Sequence, residues 1–275
     1  VAKMFAPGEV DYKAFVAGND MLLFSQGVKV GKQKIINAIE KGEISENRLA
    51  ESVKKILMAK YLVGLNNFQP LNSANVFEDL NSEENTALTY KIFADATTIT
   101  KNDNQVLPIK DVTKRIAFVP LEQTDYKIFY EHLKKYADVK LVKIENASQI
   151  SKLNDFDYII YGAFLSNETV YKSYKLSATS KAILKATPAD KNSILSLFTS
   201  PYGLKDLDLS TIDGVVVNYQ NTDQTKQIAP QVIFGALTAK GKLPVTVNDS
   251  IKYGDQIKIQ AIQRLGFDEP TNVGV

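Results

Sequence analysis

A chain of 275 residues, 44% hydrophobic and 23% charged, has the makeup of an ordinary globular protein, and its length favours two folded units over one. A formal charge of +2, from 33 Lys and Arg scattered among 31 Asp and Glu, provides no dense basic face, so nucleic-acid binding is disfavoured. With no cysteine and a single histidine, His132, disulfides, thiolate metal sites, a cysteine nucleophile and a histidine metal centre are all excluded. His132 sits in the polar run Tyr130 to Lys135 and is expected to be a solvated helix residue.

No run of about 18 apolar residues occurs, so no membrane span is expected. Val1 to Gly8 carry neither a basic segment nor a long apolar one, so no signal peptide is visible. An opening that enters folded-looking sequence at once suggests a piece of a longer parent, for which a periplasmic or cell-envelope location is the favoured expectation.

In chain order, residues 9–18 predict a short helix closed by Gly18, and Asp20 to Ser25 a compact apolar strand. Ile35, Ile36 and Ile39 recur at helical spacing between Lys32 and Lys41. Ser45 then caps a second amphipathic helix with Leu49, Val53, Ile56 and Leu57 on its stripe, stopped by Gly64. Residues 66–81 lack periodicity and read as a linker between a first unit, 1–65, and a second, 82–250.

Ser82-Glu83-Glu84 opens a helix to about Ala96, followed by a β-branched stretch at Thr97 to Lys101. Apolar strands are then predicted at Arg115–Val119, Val139–Val142, Tyr158–Tyr161, Ser193–Phe198 and Gly214–Tyr219. Helices at 124–136, 148–153, 177–187 and 223–238 separate or follow them. Continuous apolar strands alternating with helices predict an α/β sandwich: a mostly parallel sheet of about five strands covered on both faces. Residues 251–275, with a β-like Gln256 to Ile259 and a polar end at Asp268 to Asn272, read as a tail and exit linker.

Neither a GxGxxG nor a GxxxxGK[ST] loop occurs, which weakens any nucleotide-dependent reading, and HExxH, GxSxG and calcium-loop patterns are absent too. No cofactor or metal is expected. Most of the 13 Tyr and 13 Phe fall within apolar strands, as Tyr158, Tyr161 and Phe198 do, where core packing accounts for them better than sugar stacking.

Four segments carry a resemblance. Ala17-Gly18-Asn19-Asp20-Met21-Leu22-Leu23, with Ala38 to Ser45, Arg48-Leu49 and Ser52 to Leu65, resembles the last βα step of the catalytic (β/α)8 barrel in bacterial family 3 glycoside hydrolases. Ala94 to Asn102 with Leu107-Pro108-Ile109 is similar to the start of that family's second domain, Gly241-Lys242-Leu243-Pro244-Val245-Thr246-Val247 to its closing motif, and Ser200-Pro201-Tyr202 also fits. The resemblance implies the end of a TIM-type barrel at 1–65, then the C-terminal α/β sandwich.

It also implies a parent that hydrolyses O-glycosyl bonds, as a retaining β-N-acetylglucosaminidase acting on amino-sugar glycosides. The family's nucleophilic aspartate and acid/base histidine have no counterpart in these residues, so no catalytic residue is expected here and the chain alone should be inactive. Asp20 is the tempting substitute, but barrel sites form at the carboxyl ends of strands and Asp20 precedes its own. By that polarity Phe24, Ser25 and Gln26 face the catalytic mouth, as sugar-lining residues or as plain loop.

In the β-glucosidase-like branches a glutamate of the second domain donates the proton, and Glu168 falls in the matching region without the expected Gly-Asp pair, which favours a surface role. The expected partner is a carbohydrate bound mainly by the barrel. The run Ile259 to Phe267 resembles relatives that continue into a serine-hydrolase module. A β-glucosidase-type parent, or a non-catalytic glycan- or protein-binding module, stays open.

Overall fold

The local patterns become eight α-helices and six strands in a computed structural model that describes residues 4–122, 125–166, 174–260, 262 and 264–267. They fall into two compact units, Val1–Asn75 and Val76–Val275.

The first unit is helical: α1 (Glu9–Val16), α2 (Val28–Glu40) and α3 (Glu46–Leu62). Ser45 caps α3 as its sequence predicts, its hydroxyl accepting the Arg48 amide at 3.2 Å. Gly64, at φ 79°, turns the chain out of α3 in the left-handed conformation that only glycine adopts without cost. The core of this unit is small, with Phe15, Ala38 and Ile44 at its centre and Tyr12, Ile35 and Ile39 around it.

The strand expected at Asp20 to Ser25 does not form. Residues 20–26 run as bends, and Met21 and Leu23 lie 69% and 86% exposed. A strand persists only when its backbone amides and carbonyls find a neighbouring strand, and the described residues of this unit offer none. In the segment read as a linker, a 3-10 turn at Leu65–Asn67 and α4 (Val76–Leu80) flank residues 68–75, which hold no helix or strand.

The second unit is the α/β sandwich. After α5 (Glu83–Ala96) come β1 (Thr98–Asn102), β2 (Ile116–Leu121), α6 (Lys127–Lys134), β3 (Val139–Leu141), β4 (Tyr158–Phe164), α7 (Ala178–Lys185), β5 (Asn192–Phe198), β6 (Gly214–Val217) and α8 (Asp223–Ile233). The sheet has six strands in the order β1-β6-β5-β4-β2-β3, one more than expected. The addition is β1, whose β-branched Thr98 and Ile99 pair antiparallel with Val217 and Val216 at one edge, while the other pairings are parallel.

Both faces are buried, which is why the strands read as unbroken apolar runs. Along β2, Ile116 and Phe118 enter the core beneath α5, α6 and α8, whereas Ala117 and Val119 enter the opposite one with Ile183 of α7, Leu204 and Leu243. Phe129 of α6 stands at the centre of the first core, edge-on to Phe118 at 5.3 Å and to Phe198 at 5.2 Å.

His132 is not a solvated residue: it is 7% exposed. The eight-residue helix α6 presses Phe129, His132 and Leu133 onto the sheet together, and the imidazole bonds the Ile128 carbonyl at 2.9 Å and Lys135 at 3.2 Å.

The stretch read as a tail is docked on the second unit through its described residues. Ile257 N–H donates to Ile99 O at 2.9 Å and, ahead of the tail, Gly241 N–H donates to Thr97 O at 3.1 Å, together sealing the outer edge of β1 although Gln256 to Ile259 forms no strand of its own. Arg264 then donates to Ile109 O at 2.8 Å, Phe234 O at 2.7 Å and Lys110 O at 3.0 Å. Asp268 to Asn272 lie outside the described residues. Arg264→Ala removes a charged donor from three carbonyls and should destabilise the unit by about 1.5–3 kcal/mol. Hydrogen exchange should show faster exchange at Ile257 and Ile262, whereas unchanged protection there would mean that the guanidinium does not hold the segment.

Candidate functional site

The loop between α1 and α2, residues 17–27, and the residues before α1 enclose an open hollow of about 670 Å³. That volume is within the range of small-molecule sites. Phe24, Ser25 and Gln26, singled out in the sequence, all line it, with Phe5, Pro7 and Asp11. Phe24 has a positive φ of 57° and is 91% exposed, Gln26 is exposed and Ser25 is half-buried. A neighbouring hollow of about 330 Å³ lies between this loop and α2, lined by Leu22, Val28, Ile35 and Ile39, and Asp11 and Ser25 border both.

Asp11 is the residue the sequence reading missed. Only 9% exposed, it accepts a 2.8 Å hydrogen bond from the Ser25 hydroxyl and lies against Gly31 of α2, where a Cβ would stand 2.2 Å from its carboxylate. An acid in the first turn of a helix ordinarily reads as a solvated partner of the helix dipole. Its placement four residues before the buried Phe15, on the same face of α1, is the one signal that marks it.

Asp20 serves as the anchor of this loop. Its carboxylate accepts from Lys55 Nζ at 2.8 Å, Ser52 Oγ at 2.7 Å and Arg48 Nη1 at 3.1 Å, all on α3, and Arg48 Nη1 also bonds Ser52. The hydrogen bonds from Lys55 and Ser52, with the nearby positive charge, pull its pKa from 3.8 down to about 2. A group so acidic holds no proton to donate at neutral pH.

The same shift fixes a pH dependence. A carboxylate with a depressed folded pKa stabilises the fold above its unfolded value, and that contribution fades as pH falls from 3.8 towards 2. Asp20→Asn should therefore melt below wild type at pH 7, with the gap closing through this acid window. A gap independent of pH would assign the role to shape and not to charge.

In the second unit the switch point of the sheet lies between β2 and β4, where ligands of open α/β sheets bind beyond the carboxyl ends of the strands. Glu168 lies outside the described residues. Two non-glycine residues with positive φ stand at this edge, Glu122 (74°) after β2 and Tyr219 (66°) after β6. Glu122 Oε1 accepts the Ser177 amide at 2.7 Å at the start of α7, and Tyr219 shares a 2.6 Å hydrogen bond with Thr98. Lys226 of α8, 2% exposed, turns its ammonium to Asp125 at 2.7 Å and Asp223 at 3.2 Å. Among the described residues no group of three or more His, Asp or Glu could hold a metal ion.

The sequence matches no family model. Solved structures match the architecture. A β-glucoside phosphorylase, BglX, superposes with a TM-score of 0.67 at 20% identity over 90% of this chain and 47% of its own. A family 3 β-N-acetylglucosaminidase from Paenibacillus sp. FPU-7 superposes with a TM-score of 0.63 at 20% identity, over 90% and 49%. The fold is that of family 3 glycoside hydrolases.

The mostly parallel sheet of the second unit, expected from the sequence, matches in fold the C-terminal α/β domain of family 3 enzymes. A curated protein of Formosa agariphila named "Putative beta-xylosidase" is 23% identical over 284 aligned residues, 90% of this chain and 37% of that protein. The chain thus spans just under half of these two solved structures and little over a third of the curated relative. No described helix is long and apolar enough to cross a membrane.

Proposed function

We propose that this chain acts as the C-terminal part of a family 3 glycoside hydrolase, with its first unit completing a catalytic barrel and its second forming the α/β domain beside it. The observation that carries this reading is the match of nine-tenths of the chain to about half of each solved relative. The exposed apolar surface of the first unit supports it. Leu57, Met58, Tyr61 and Leu62 of α3 and Leu23 of the loop are each more than half exposed, and a larger assembly of strands would cover them. In such an assembly Met21 to Phe24 would find the strand partners they lack here, and Phe24, Ser25 and Gln26 would stand at its carboxyl end, lining the sugar site.

Retaining hydrolysis needs an attacking carboxylate and a proton donor about 5 Å apart. The first unit offers Asp20, held ionised by Lys55, Ser52 and Arg48, and Asp11, enclosed with Ser25. Neither is a free nucleophile, so the reactive pair belongs to the part of the parent that this chain lacks. Glu168 of the second unit is kept as a sugar-lining candidate outside that pair.

For the parent we favour β-N-acetylglucosaminidase activity, on the strength of the motifs at Ala17 to Leu23 and Ala38 to Leu65. The β-glucoside phosphorylase and β-xylosidase relatives fit a glucoside- or xyloside-cleaving parent equally well. Hydrolysis of chromogenic N-acetylglucosaminide, glucoside and xyloside by the whole gene product decides between them. The N-acetylglucosaminide should turn over fastest, and a preference of tenfold or more for either other sugar would overturn the assignment. A serine-hydrolase module following Phe267 remains a sequence-based suggestion that none of the relatives supports.

A further inference from the structure

We propose that the second unit carries a non-catalytic oligosaccharide-binding platform formed by Tyr174 and Tyr202. These rings, with centroids 6.2 Å apart and planes inclined by 50°, are the one aromatic pair among the described residues in which both members are exposed, each at 40%. The other phenylalanines and tyrosines of the sheet pack as core, as Tyr161 and Phe198 do at 0% exposed.

The backbone that presents both rings is anchored in the unit. Tyr202 rides on a 3-10 turn, Pro201–Leu204, that follows the carboxyl end of β5. Pro201, Gly203 and Leu204 are buried, and the Gly203 and Lys205 amides bond Ser200 O at 2.9 Å and Tyr202 O at 3.1 Å. On the other segment Leu176, two residues after Tyr174, is buried, and the Tyr174 carbonyl approaches Gly203 so closely that a Cβ there would stand 2.9 Å away. Ring positions set by the backbone lose little conformational freedom when a ligand stacks on them.

The neighbouring chemistry selects the ligand class. Lys175 and Asp206 form an ion pair at 3.4 Å, both partly open to solvent, and each belongs to one of the two segments that present the rings. Aromatic faces receive the C–H face of a pyranose, a carboxylate accepts from vicinal hydroxyls and an ammonium donates to sugar oxygens. The exposed flanks, Lys175, Lys205 and Asp206, are charged, whereas a protein-binding hot spot is centred on desolvated aromatic and apolar anchors. The site lies beyond the carboxyl end of β5, on the same edge of the sheet as the switch point between β2 and β4 but outside it. It is independent of the barrel reading, because it uses only residues of the second unit.

Calorimetric titration of the 275-residue chain with chitohexaose, cellohexaose and xylohexaose tests the platform. At least one should bind, and Tyr202→Ala and Tyr174→Ala should each weaken it by about tenfold, the loss of one stacking contact. Tyr202→Phe, which keeps the ring, and Tyr253→Ala, at a tyrosine 75% exposed but without a ring partner among the aromatic pairs, should bind as wild type does. Thermal midpoints within about 2 °C of wild type establish that the variants fold. Absence of binding to all three sugars, or binding that both alanine variants leave intact, would overturn the proposal.

Discussion

Phe129→Ala should lower the stability of the second unit by about 3–5 kcal/mol, the loss expected when a fully buried aromatic ring leaves a cavity. The side chain is 0% exposed and meets Phe118, Phe164 and Phe198 at centroid distances of 5.3, 5.7 and 5.2 Å, so no single neighbour can move in to fill the space. Phe164 and Phe198 are themselves stacked at 4.7 Å and held on adjacent parallel strands, which restrains collapse further. In a 200-residue unit such a loss should lower the thermal midpoint by about 6–20 °C. Phe129→Leu refills much of the volume and should recover more than half of it. Circular dichroism melts check both, and a drop of less than about 3 °C for the alanine variant would mean that this cluster is not the centre of the core.

Gly241→Ala should be nearly as damaging, for the opposite reason. A Cβ at this position would stand 1.9 Å from the Ala96 carbonyl and 2.3 Å from Thr98 Oγ1, so the backbone of one segment must retreat. Retreat breaks the bond from Gly241 N–H to Thr97 O and pulls Leu243, fully buried three residues before Thr246, out of the second core. Overpacking of this kind costs about 1–3 kcal/mol, and the lost hydrogen bond adds about 1 kcal/mol. Lys242→Ala, one residue on, changes an exposed side chain and should be neutral. If the two variants melt together, the close approach of Gly241 to β1 is not a constraint. The motif Gly241 to Val247 that carried part of the sequence resemblance is thereby a packing requirement: a glycine against the sheet edge followed by a buried leucine.

The second unit was largely legible because each of its core strands is covered on both faces. Ile116-Ala117-Phe118-Val119 feeds two cores alternately, so every residue must be apolar and the run stands out against the polar loops. The antiparallel edge strand β1 was visible only as a β-branched stretch, since nothing local reports that Thr98 and Ile99 pair with residues over a hundred positions away. His132 was misread because its neighbours in sequence are polar, whereas its burial depends on which side of an eight-residue helix meets the sheet. Arg264 left no local signal at all: its three partner carbonyls belong to Ile109, Lys110 and Phe234.

The first unit shows the converse. Met21 to Phe24 have a strand-like pattern, yet periodicity describes a preference for a partner and cannot supply one. Phe24, Ser25 and Gln26 do border a common hollow, and their order along the loop was readable from the motif that precedes them. Asp11 escaped notice because a charged residue near a helix start has an ordinary explanation, and only the fold reveals that its carboxylate is enclosed by Ser25 and Gly31.

Turnover of p-nitrophenyl N-acetyl-β-glucosaminide by the purified 275-residue chain bears most directly on the family 3 account. On the proposal that the attacking carboxylate and its proton donor are not among these 275 residues, the rate should be indistinguishable from buffer. Release of nitrophenol at an enzyme-like rate, on the order of 1 s⁻¹ or faster, would show that these residues contain a complete catalytic pair and contradict it.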